Sequence, residues 1–536
     1  MNQLSEKRDP NNLDAWILGS GIASLTAAVH LIQEASVPPS RIHILERLEF
    51  AGGDSVTSGD SVNGYHYQAG SMPSLNDSCM ERLFSLVPSK TDPNKTVLDE
   101  MIEFNHSQPP GKPPNTRFLV RKPSCMERQN GKNIGLGLRD HMDLVTLGFK
   151  SEKSLSRSRI SDYFHKGFFE SKYWLLLATT FGFQPWHSLV EFRRYVQGFM
   201  KDTHKLDHPR QLDVGRYNPH EAIIEPIAHF LVSRGVDFRF RTTVTDIGID
   251  PSHQQVSTIC AVKDNEPERR IEVGQQDIVV VSAGSVMSGA TTGTNNSPPS
   301  LELIEIDQDL DENWLLWLEL STKDSKFGNA YNFCTRMCES RQESFTVTLK
   351  NTRFFESFIQ LTGDEPGTGT FVTLQNSNWL LNLYLPQQPM FSDQPVDVQV
   401  FWGYAAFPEK EGDHVRKPML KCSGKEIMTE ILHHLQFPSE ILQDSITIPC
   451  VMPRKSAPLL RRDYYDRPAV IPDGMKNMAM IGQFVDIPDE MSVSMGYCVR
   501  GAQIAINYLM GLERRWAQDT LSENIAGIVP WKCSLC

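Results

Sequence analysis

The 536-residue sequence predicts an α/β (α+β) protein built on a discontinuous Rossmann-like domain. The first sign is a short buried strand, residues 14–18, which runs directly into a glycine-rich turn and an apolar helix, the order that dinucleotide-binding units require. The second is a pair of buried strands much later in the chain, at 277–281 and 477–484, that also carry or lead into glycines. Since strands of one sheet are separated by long stretches of chain, we expect other regions to be inserted between the pieces of the domain.

The glycine-rich turn supplies the first candidate binding residues. Gly19 permits the tight turn, and Gly21 lets a pyrophosphate approach the unpaired N–H groups at the helix N-terminus, where the helix dipole favours negative charge. Ile22 and Ala23 follow and begin the helix. Ser24 stands at the third glycine position of the motif, where a small side chain packs against the strand nearly as well. The turn therefore predicts a dinucleotide site, with an ordinary glycine turn as the alternative.

An acidic residue and a second glycine pair indicate which dinucleotide binds. Glu46 follows the next strand, 41–45, where an acidic side chain accepts hydrogen bonds from ribose hydroxyls and disfavours the 2′-phosphate of NADP. Gly52 and Gly53, followed by Asp54, come soon afterwards. Flavoproteins of this class pass a second glycine pair close to the cofactor, so the pair favours FAD over NAD, against the alternative of an ordinary loop.

Later segments complete the candidate cofactor site and set the expected domain boundaries. The strands at 236–245 include Val244 and resemble the pair that carries the adenine end in such domains, while the two late strands lead to Ser285, Gly482 and Gln483. We expect the FAD-binding domain to comprise residues 12–75, 205–295 and 440–510. Substrate-binding or lid regions are expected at 76–204 and 296–439, and a short helical C-terminal tail at 511–536.

Composition and charge restrict the class of protein. With 40% hydrophobic and 22% charged residues, the chain can bury a large core. The net charge of −12 and the pI near 5.7 oppose nonspecific attraction to nucleic acid or to an anionic membrane, although a local basic patch can still exist. No stretch approaches the roughly 18 apolar residues of a membrane-spanning helix, and no signal-peptide pattern opens the chain, so we expect a soluble, cytoplasmic protein. The ten cysteines show no metal-ligand spacing and are expected to be reduced thiols, with no metal bound.

Several segments extend the pattern beyond a generic flavin fold. They are, in chain order, residues 181–188 (FGFQPWHS), 191–195 (EFRRY), 377–380 (SNWL), 417–419 (KPM), 422–427 (CSGKEI), 449–453 (PCVMP), 466–468 (DRP), 471–474 (IPDG) and 481–484 (IGQF). These segments resemble, in the same order, those of the oleate hydratases, the myosin-cross-reactive-antigen family. The resemblance implies a lyase that needs FAD without net redox change and adds water to a cis double bond of an unsaturated fatty acid. It also implies a homodimer and a peripheral membrane contact.

The resemblance assigns the proton-donor role to a tyrosine. Hydration of an isolated alkene needs a proton donor against one carbon and a polarised water near the other, inside an apolar site. The family's donor tyrosine maps onto Tyr195, for which the alternative is a half-buried helix residue. Glu191 lies one helical turn earlier on the same face and is a candidate helper. Its alternative is an ion pair with Arg194 or another basic residue.

The sequence departs from the family where a glutamate should activate the water. The family reads Arg-Glu-Met-Glu-Asn-His after a glycine pair, and the ungapped match here is 71–76, SMPSLN, which places Met72 at the position of the catalytic Glu. Methionine cannot orient or deprotonate water. Ser74, Asp54 or a bound water are the candidates to replace the lost carboxylate. A family glutamine is also replaced, by Pro219.

Three hypotheses from different classes follow. The first is a hydro-lyase on an unsaturated acyl or polyene chain, with Tyr195 as the acid. The second is a flavin-dependent isomerase or oxidoreductase, since a pocket with different residues beside the flavin ring could use the redox chemistry of the flavin. The third is a catalytically silent protein that binds FAD and fatty acid.

The remaining conspicuous side chains are assigned structural roles. His187 shares its spacing with no cysteine or carboxylate, so we expect a hydrogen-bonded core histidine rather than a metal ligand. His433 and His434 are adjacent on an amphipathic helix, which turns one of them to solvent. Three tryptophans are expected in the core or the tunnel lining: Trp314, Trp317 and Trp379.

Overall fold

A computed structural model describes residues 7–53, 55–68, 78–107, 114–123, 125–131, 135–200, 215–250, 252, 254–264, 266–301, 310, 312–367 and 371–512. It shows the predicted mixed α/β fold. Its helices are α1 (Ile22–Gln33), α2 (Ser78–Leu86), α3 (Val97–Ser107), α4 (Leu138–Phe149), α5 (Lys166–Phe169), α6 (Lys172–Phe181), α7 (Leu189–Met200), α8 (Glu225–Arg234), α9 (Glu312–Lys323), α10 (Tyr331–Cys334), α11 (Met337–Ser340), α12 (Arg353–Thr362), α13 (Gly424–Leu435) and α14 (Met495–Met510).

The strands fall into four sheets. They are β1 (Ala15–Leu18), β2 (Ile42–Leu45), β3 (Thr57–Asp60), β4 (Gly64–Tyr67), β5 (Phe118–Arg121), β6 (Met126–Gln129), β7 (Asp237–Arg239), β8 (Thr242–Asp250), β9 (Gln255–Lys263), β10 (Arg269–Glu272), β11 (Ile278–Ser282), β12 (Thr291–Thr292), β13 (Gln342–Leu349), β14 (Val372–Leu374), β15 (Leu381–Tyr384), β16 (Gln399–Ala405), β17 (Ser445–Met452) and β18 (Met478–Ile481).

The predicted Rossmann-like domain is centred on a five-stranded parallel sheet with the order β18-β11-β1-β2-β7. All four residues of β1 are buried, and Ala15 lies between Ile278 and Ile42 in the register. Continuous apolar strands of this kind suit a sheet covered on both faces. α1 packs against α14, so the first and last helices of the described chain meet beside the glycine turn.

A larger mixed sheet has eight strands in the order β12-β17-β13-β16-β15-β14-β5-β6. Phe345 and Val347 of β13 pack into an apolar core with α12 and α13. Successive residues of a strand face opposite sides, and the other face holds the β3–β4 hairpin. There Tyr65 N–H donates to Thr348 Oγ1 at 2.8 Å. The hairpin thus joins this sheet to the loops that follow the second glycine pair.

A helical region, α4 to α7, has an aromatic core of its own. The rings of Phe164 and Phe168 stack at 4.0 Å, and Phe192 of α7 packs edge-on against both. Large aromatic side chains in such contacts bury much apolar area and hold defined geometry. This core fixes α7, the helix that carries Glu191 and Tyr195.

Three elements pack in a different part of the structure from the domain that the sequence assigns them to. α2 and α9 lie within regions predicted to bind substrate, yet their apolar faces complete the core of the parallel-sheet domain. β17 lies within the predicted FAD-binding segment 440–510, yet its hydrogen bonds place it in the large sheet. Hydrophobic periodicity shows that a helix or strand has a buried face but not which sheet buries it. The boundaries themselves stay a prediction.

The described residues agree with the expected thiol state. Their cysteines are all free. None of the described helices combines the length and apolar character needed to cross a lipid bilayer. Most of the predicted tail, residues 513–536, lies outside the described chain.

The large sheet contains a buried acidic side chain. Glu343, in β13, is fully buried, and neither carboxyl oxygen has a hydrogen-bond partner among the described residues. Burial, reinforced by the negative charge of Glu409, raises the pKa of Glu343 well above its usual value of 4.5. The carboxyl group is therefore protonated in the folded protein under conditions that ionise it in the unfolded chain.

This protonation makes the stability contribution of Glu343 depend on pH. Because the folded state binds the extra proton, stability should fall as pH rises above the unfolded pKa, by up to about 1.4 kcal/mol per pH unit. We expect Glu343→Gln to remove this component, so that its melting temperature falls less steeply than that of the wild type between about pH 5.5 and pH 7.5. The matched Glu272→Gln substitution, at an exposed glutamate, should leave the slope unchanged. Equal slopes for the wild type and Glu343→Gln would contradict the buried, protonated state.

Candidate cofactor cleft and active site

The first glycine turn presents open backbone to the carboxyl end of the parallel sheet. Gly19 has φ +93 and donates its N–H to Leu45 O at 2.8 Å, which ties the turn to β2. α1 then begins at the N-cap Gly21, whose position supplies no capping side chain. A Cβ atom on Gly21 would meet nothing within 4 Å. The first N–H groups of α1 are thus directed at open space, as an anion site requires.

The second glycine pair lies against the first motif. A Cβ atom on Gly53 would come within 2.9 Å of the Gly21 Cα, and Gly53 has φ +55. Gly52 donates its N–H to Ser20 O at 3.1 Å. Two loops that the sequence treats as separate signals therefore form one backbone cradle, and a side chain at position 53 would fill it.

Glu46 lies at the end of β2, as predicted, and has a second role that the sequence did not indicate. Its Oε2 accepts hydrogen bonds from Ser20 N–H at 2.8 Å and Ser20 Oγ at 2.6 Å, and its Oε1 accepts one from Leu48 N–H at 2.8 Å. A carboxylate offers about four acceptor positions. Glu46 therefore braces the glycine turn and has one acceptor position left over.

A cleft of ≈ 630 Å³ runs over the cradle and the strand ends. The predicted cofactor residues that line it are Gly19, Gly21, Ile22, Ala23, Glu46, Gly52, Gly53, Ser285, Gly482 and Gln483. Ser24 is buried beneath the turn and Val244 lies in β8, and neither lines the cleft. Asp54 lies outside the described residues. The sequence did not indicate the lining residues Met495 and Cys498, since they belong to α14 and only the fold brings them here.

The cleft has the shape and chemistry that a dinucleotide cofactor needs. Its volume is within the usual range for ligand sites, and the glycine cradle and the α1 N-terminus suit a pyrophosphate. A second cleft of ≈ 440 Å³ adjoins it and shares Arg47, Leu48 and Phe50 with it, which leaves room for the nucleoside end. The residues present therefore fit the predicted FAD.

Tyr195 is buried on α7, between two aromatic rings. Phe181 and Phe183 pack edge-on against it, with ring centroids 4.7 and 5.0 Å away. Its hydroxyl oxygen accepts a hydrogen bond from Val493 N–H at 3.1 Å, and none of the described residues accepts one from its O–H. Burial raises the pKa of the phenol above its usual value, while the Val493 N–H acts in the opposite direction. The proton is therefore retained and has no protein acceptor in the described chain.

The Tyr195 hydroxyl contacts a chain segment that leads to the cleft. Val493 is two residues from Met495, which lines the cleft, and successive Cα atoms are about 3.8 Å apart. The same segment starts beyond Gln483, on another wall. The segment thus links the predicted acid to the cleft that the predicted cofactor residues line.

Glu191 lies one turn before Tyr195 and is fully buried among arginines. Its Oε1 lies 3.0 Å from Arg462 Nη2, 3.4 Å from Arg467 Nη2 and 3.8 Å from Arg194 Nη1. Burial alone would raise the pKa of this carboxyl, but the guanidinium groups, that of Arg467 first, outweigh burial and lower it to about 2. A permanently ionised carboxylate in these ion pairs cannot serve as a proton donor. The geometry agrees with the ion-pair alternative, extended to arginines far away in sequence.

Two positions that align with glutamates of the family lie outside the described residues. They are Met72, which aligns with the catalytic glutamate, and Ser74, which aligns with the second one. Their roles stay predictions.

The histidines hold structural positions. His187 is fully buried, accepts a hydrogen bond from Gln184 N–H at 3.1 Å through Nδ1, and places Nε2 3.4 Å from Glu339 O. Burial lowers the pKa of its ring to about 4. The expected hydrogen-bonded core histidine is confirmed. The tryptophans expected in the core are all fully buried: Trp314, Trp317 and Trp379.

Of the adjacent histidine pair, His433 is exposed, as predicted, and His434 is buried. Nε2 of His434 lies 3.1 Å from Asp413 Oδ2 and 3.2 Å from Glu430 Oε1. The Glu430 carboxylate also accepts the backbone N–H groups of residues 413, 414 and 415. Because its oxygens accept these hydrogen bonds, the Glu430 carboxylate fixes the loop at 413–415 to α13.

Comparison with known proteins agrees with this arrangement. The chain matches the MCRA family over residues 12–507. It is 30% identical over 525 residues to an oleate hydratase of Streptococcus pyogenes serotype M49 (strain NZ131), covering 95% of this chain and 87% of that protein. It is 26% identical over 550 residues to a linoleate hydratase of Lactiplantibacillus plantarum, covering 93% of this chain and 94% of that protein.

Solved structures show the same fold at low identity. Cyclohexylamine oxidase from Brevibacterium oxydans IH-35A has a TM-score of 0.52 at 13% identity, over 93% of this chain and 98% of that one. Putrescine oxidase bound to putrescine has a TM-score of 0.51 at 12% identity, over 92% and 98% of the two chains. At such identity the likeness concerns the fold alone.

The cradle leads to a prediction about cofactor binding. Gly53→Ala should weaken flavin binding by roughly tenfold or more, because a Cβ atom there meets the Gly21 Cα and an L residue in the left-handed region is strained by about 1–2 kcal/mol. Titration of flavin-free protein by fluorescence measures the dissociation constant. Gly148→Ala is the control, since a Cβ atom on Gly148 meets nothing within 4 Å. Equal affinities for the two variants would show that the cradle does not hold the cofactor.

Proposed function

The chain belongs to the MCRA family, and from this premise we propose that it is an FAD-dependent hydratase of unsaturated fatty acids. The observation that carries the proposal is the buried Tyr195 hydroxyl, which keeps its proton without a protein acceptor in the described chain and is bonded to Val493, two residues before the cleft-lining Met495. The relatives named as oleate and linoleate hydratases support a long unsaturated acyl chain as substrate.

The proposed reaction adds the elements of water across one carbon–carbon double bond. The O–H bond of Tyr195 breaks and a C–H bond forms at one alkene carbon, while the oxygen of a water molecule bonds to the other carbon. That water loses a proton, which restores the phenol from the phenolate, so atoms and charges balance. An aromatic, buried surrounding excludes bulk water that would compete for the proton.

Binding of the cofactor and activation of the water depend on different residues. FAD, when bound in the cleft, would supply shape and electrostatics rather than electrons to the net reaction. The backbone N–H groups of Gly21 and Gly53 would bind it, and the Glu46 carboxylate would bind its ribose. Met72 at the family's glutamate position leaves the water to Ser74, Asp54 or a second water.

The same departure favours a second candidate function. A site that has lost its water-activating carboxylate beside a flavin cleft suits a flavin-dependent isomerase or oxidoreductase on a lipid or polyene substrate. A change in the flavin spectrum on mixing with substrate would mark this chemistry. Bound lipid without any product would mark the third alternative, a silent FAD and fatty-acid binder.

Substitution of the proposed acid tests the hydratase. Purified protein with oxidised or with reduced flavin is incubated with oleate or linoleate, and the gain of one water is followed by mass spectrometry. Tyr195→Phe should lower the rate by about a hundredfold or more, the usual contribution of a general acid, and keep its flavin. Tyr173→Phe, at another buried tyrosine of the helical region, should retain the wild-type rate.

Two outcomes would contradict the proposal. No hydrated product from the wild type with either flavin state would rule out hydration of these lipids. Equal rates for Tyr195→Phe and the wild type would leave hydration in place and remove Tyr195 from it.

An exposed apolar stripe on α4 supports the membrane contact that the family resemblance implies. Leu138, Met142, Val145 and Phe149 recur at helical spacing and are 80%, 62%, 47% and 77% exposed. The opposite face, with Leu147, is buried. An exposed apolar stripe of this kind is typical of helices that lie in the plane of a lipid interface.

The charges around the stripe indicate the kind of lipid. Lys150 and Lys153, just beyond α4, are exposed, whereas the exposed Arg139 on α4 pairs with Asp143 one turn later, at 3.8 Å. In a chain with a net charge of −12, this local basic rim favours an anionic surface. We infer that α4 docks on anionic lipid beside α7, which it contacts and which carries Tyr195.

Vesicle sedimentation tests the docking face. The double substitution Met142→Gln and Phe149→Gln should weaken binding to phosphatidylglycerol vesicles by at least about tenfold, since each buried apolar side chain contributes about 1.5–3 kcal/mol. Val232→Gln, on α8 and 57% exposed, is the matched control and should bind like the wild type. Binding to neutral phosphatidylcholine should be weaker throughout. Unchanged sedimentation of the double variant would exclude α4 as the docking face.

A further inference from the structure

The segment 485–493 is held against α7 by polar contacts along its length. Arg194 donates to Asp486 Oδ1 at 2.9 Å, and Arg193 donates to Asp489 Oδ1 at 2.8 Å. Both arginines are nearly fully buried. Because the segment runs between two walls of the cofactor cleft, these contacts join α7 to the cleft.

Two adjacent residues of this segment meet two residues of α7 that lie one turn apart. Ser492 Oγ donates to Glu191 Oε2 at 2.9 Å, and Val493 N–H donates to the Tyr195 hydroxyl at 3.1 Å. Side chains four apart on a helix are surface neighbours, so the two bonds lie side by side. The Ser492 bond therefore sets the position from which Val493 reaches the phenol.

The acceptor of the Ser492 bond is unusually firm. Glu191 is ionised and fixed by Arg462 and Arg467, and both Glu191 and Ser492 are completely buried. Hydrogen bonds to an ionised group are roughly twice as strong as neutral ones. A bond of this strength can hold a loop segment in one place.

We propose that Ser492 is a positioning residue for Tyr195, an inference that rests on the proposed function of Tyr195 as the proton donor. Val493 N–H occupies one acceptor position of the phenol oxygen, which leaves the O–H proton for the substrate. The same N–H stabilises the phenolate that forms when the proton leaves, as the amides of an oxyanion hole do. Ser492 keeps that amide aligned through the ionised Glu191 behind it.

The test compares three variants of the full-length, flavin-bound protein. Ser492→Ala should lower kcat for oleate hydration by about tenfold or more and change KM by less than about twofold, because alignment and not binding is lost. Ser492→Thr keeps a hydroxyl and should restore kcat. Ser340→Ala is the control, since it also removes a buried hydroxyl, one that donates to Pro453 O at 2.9 Å, away from α7. It should keep the wild-type kcat.

Hydrogen exchange at the Val493 amide tests the contact directly. The Val493 amide should exchange faster in Tyr195→Phe, which lacks the accepting oxygen, than in the wild type. It should also exchange faster in Ser492→Ala and at the wild-type rate in Ser492→Thr. Exchange that is equal in the wild type and Tyr195→Phe would overturn the inference even if Ser492→Ala did not fold.

The kinetic outcomes separate this inference from the proposed function. A wild type that hydrates oleate beside a Ser492→Ala variant with the same kcat overturns the positioning role alone. Equal losses in Ser492→Ala and Ser340→Ala, or a folded Ser492→Thr variant that stays slow, also overturn it, because they indicate a merely structural hydroxyl. A wild type without hydratase activity overturns the proposed function, and this role with it.

Discussion

A buried cluster of opposite charges joins the helical region to the parallel-sheet domain, and the candidate active site depends on this cluster. Glu191 lies between Arg462 and Arg467, and the side chains of all three are almost completely buried. Removing one partner of such a buried pair costs about 3–5 kcal/mol, since it leaves an unpaired charge away from water. The cluster therefore resists displacement and transmits that resistance to α7 and to the segment that it contacts.

The cofactor cleft obeys a different constraint, which is close backbone contact. The two glycine loops touch at Gly21 and Gly53, and Glu46 braces them from β2 through hydrogen bonds to Ser20 and Leu48. Side chains cannot be added there without moving the loops apart. The two constraints meet in the chain that runs from Gln483 to Met495, because it lines the cleft at both ends and contacts Tyr195 near its end.

Local features of the site could be read from the sequence, and long-range ones could not. The strands, each of the two glycine loops and Glu46 follow from short motifs in which neighbours in sequence are neighbours in space, whereas the contact that joins the two loops into one cradle does not. The partners of Glu191 are 271 residues away at Arg462 and 301 residues away at Ser492. No periodicity connects such positions. The same reason explains α2, α9 and β17, whose apolar faces were evident while the sheets that bury them were not.

Under the proposed function, Met72 at the family's glutamate position affects the two halves of a hydration unequally. When protonation of the alkene comes first, it leaves a carbon centre that even an unactivated water attacks readily, so the acid carries most of the barrier. The acid half is the half that this structure builds firmly, through Val493, Ser492 and the buried ion pairs of Glu191. In the proposed reaction the water also need not be deprotonated in advance, because the Tyr195 phenolate accepts the proton afterwards. The phenolate is a strong base because the pKa of its parent phenol is raised. Under the same proposal, Met72 in place of the glutamate weakens the orientation of the water more than it weakens the chemistry. That change therefore affects most strongly the position at which water adds, and with it the product that forms.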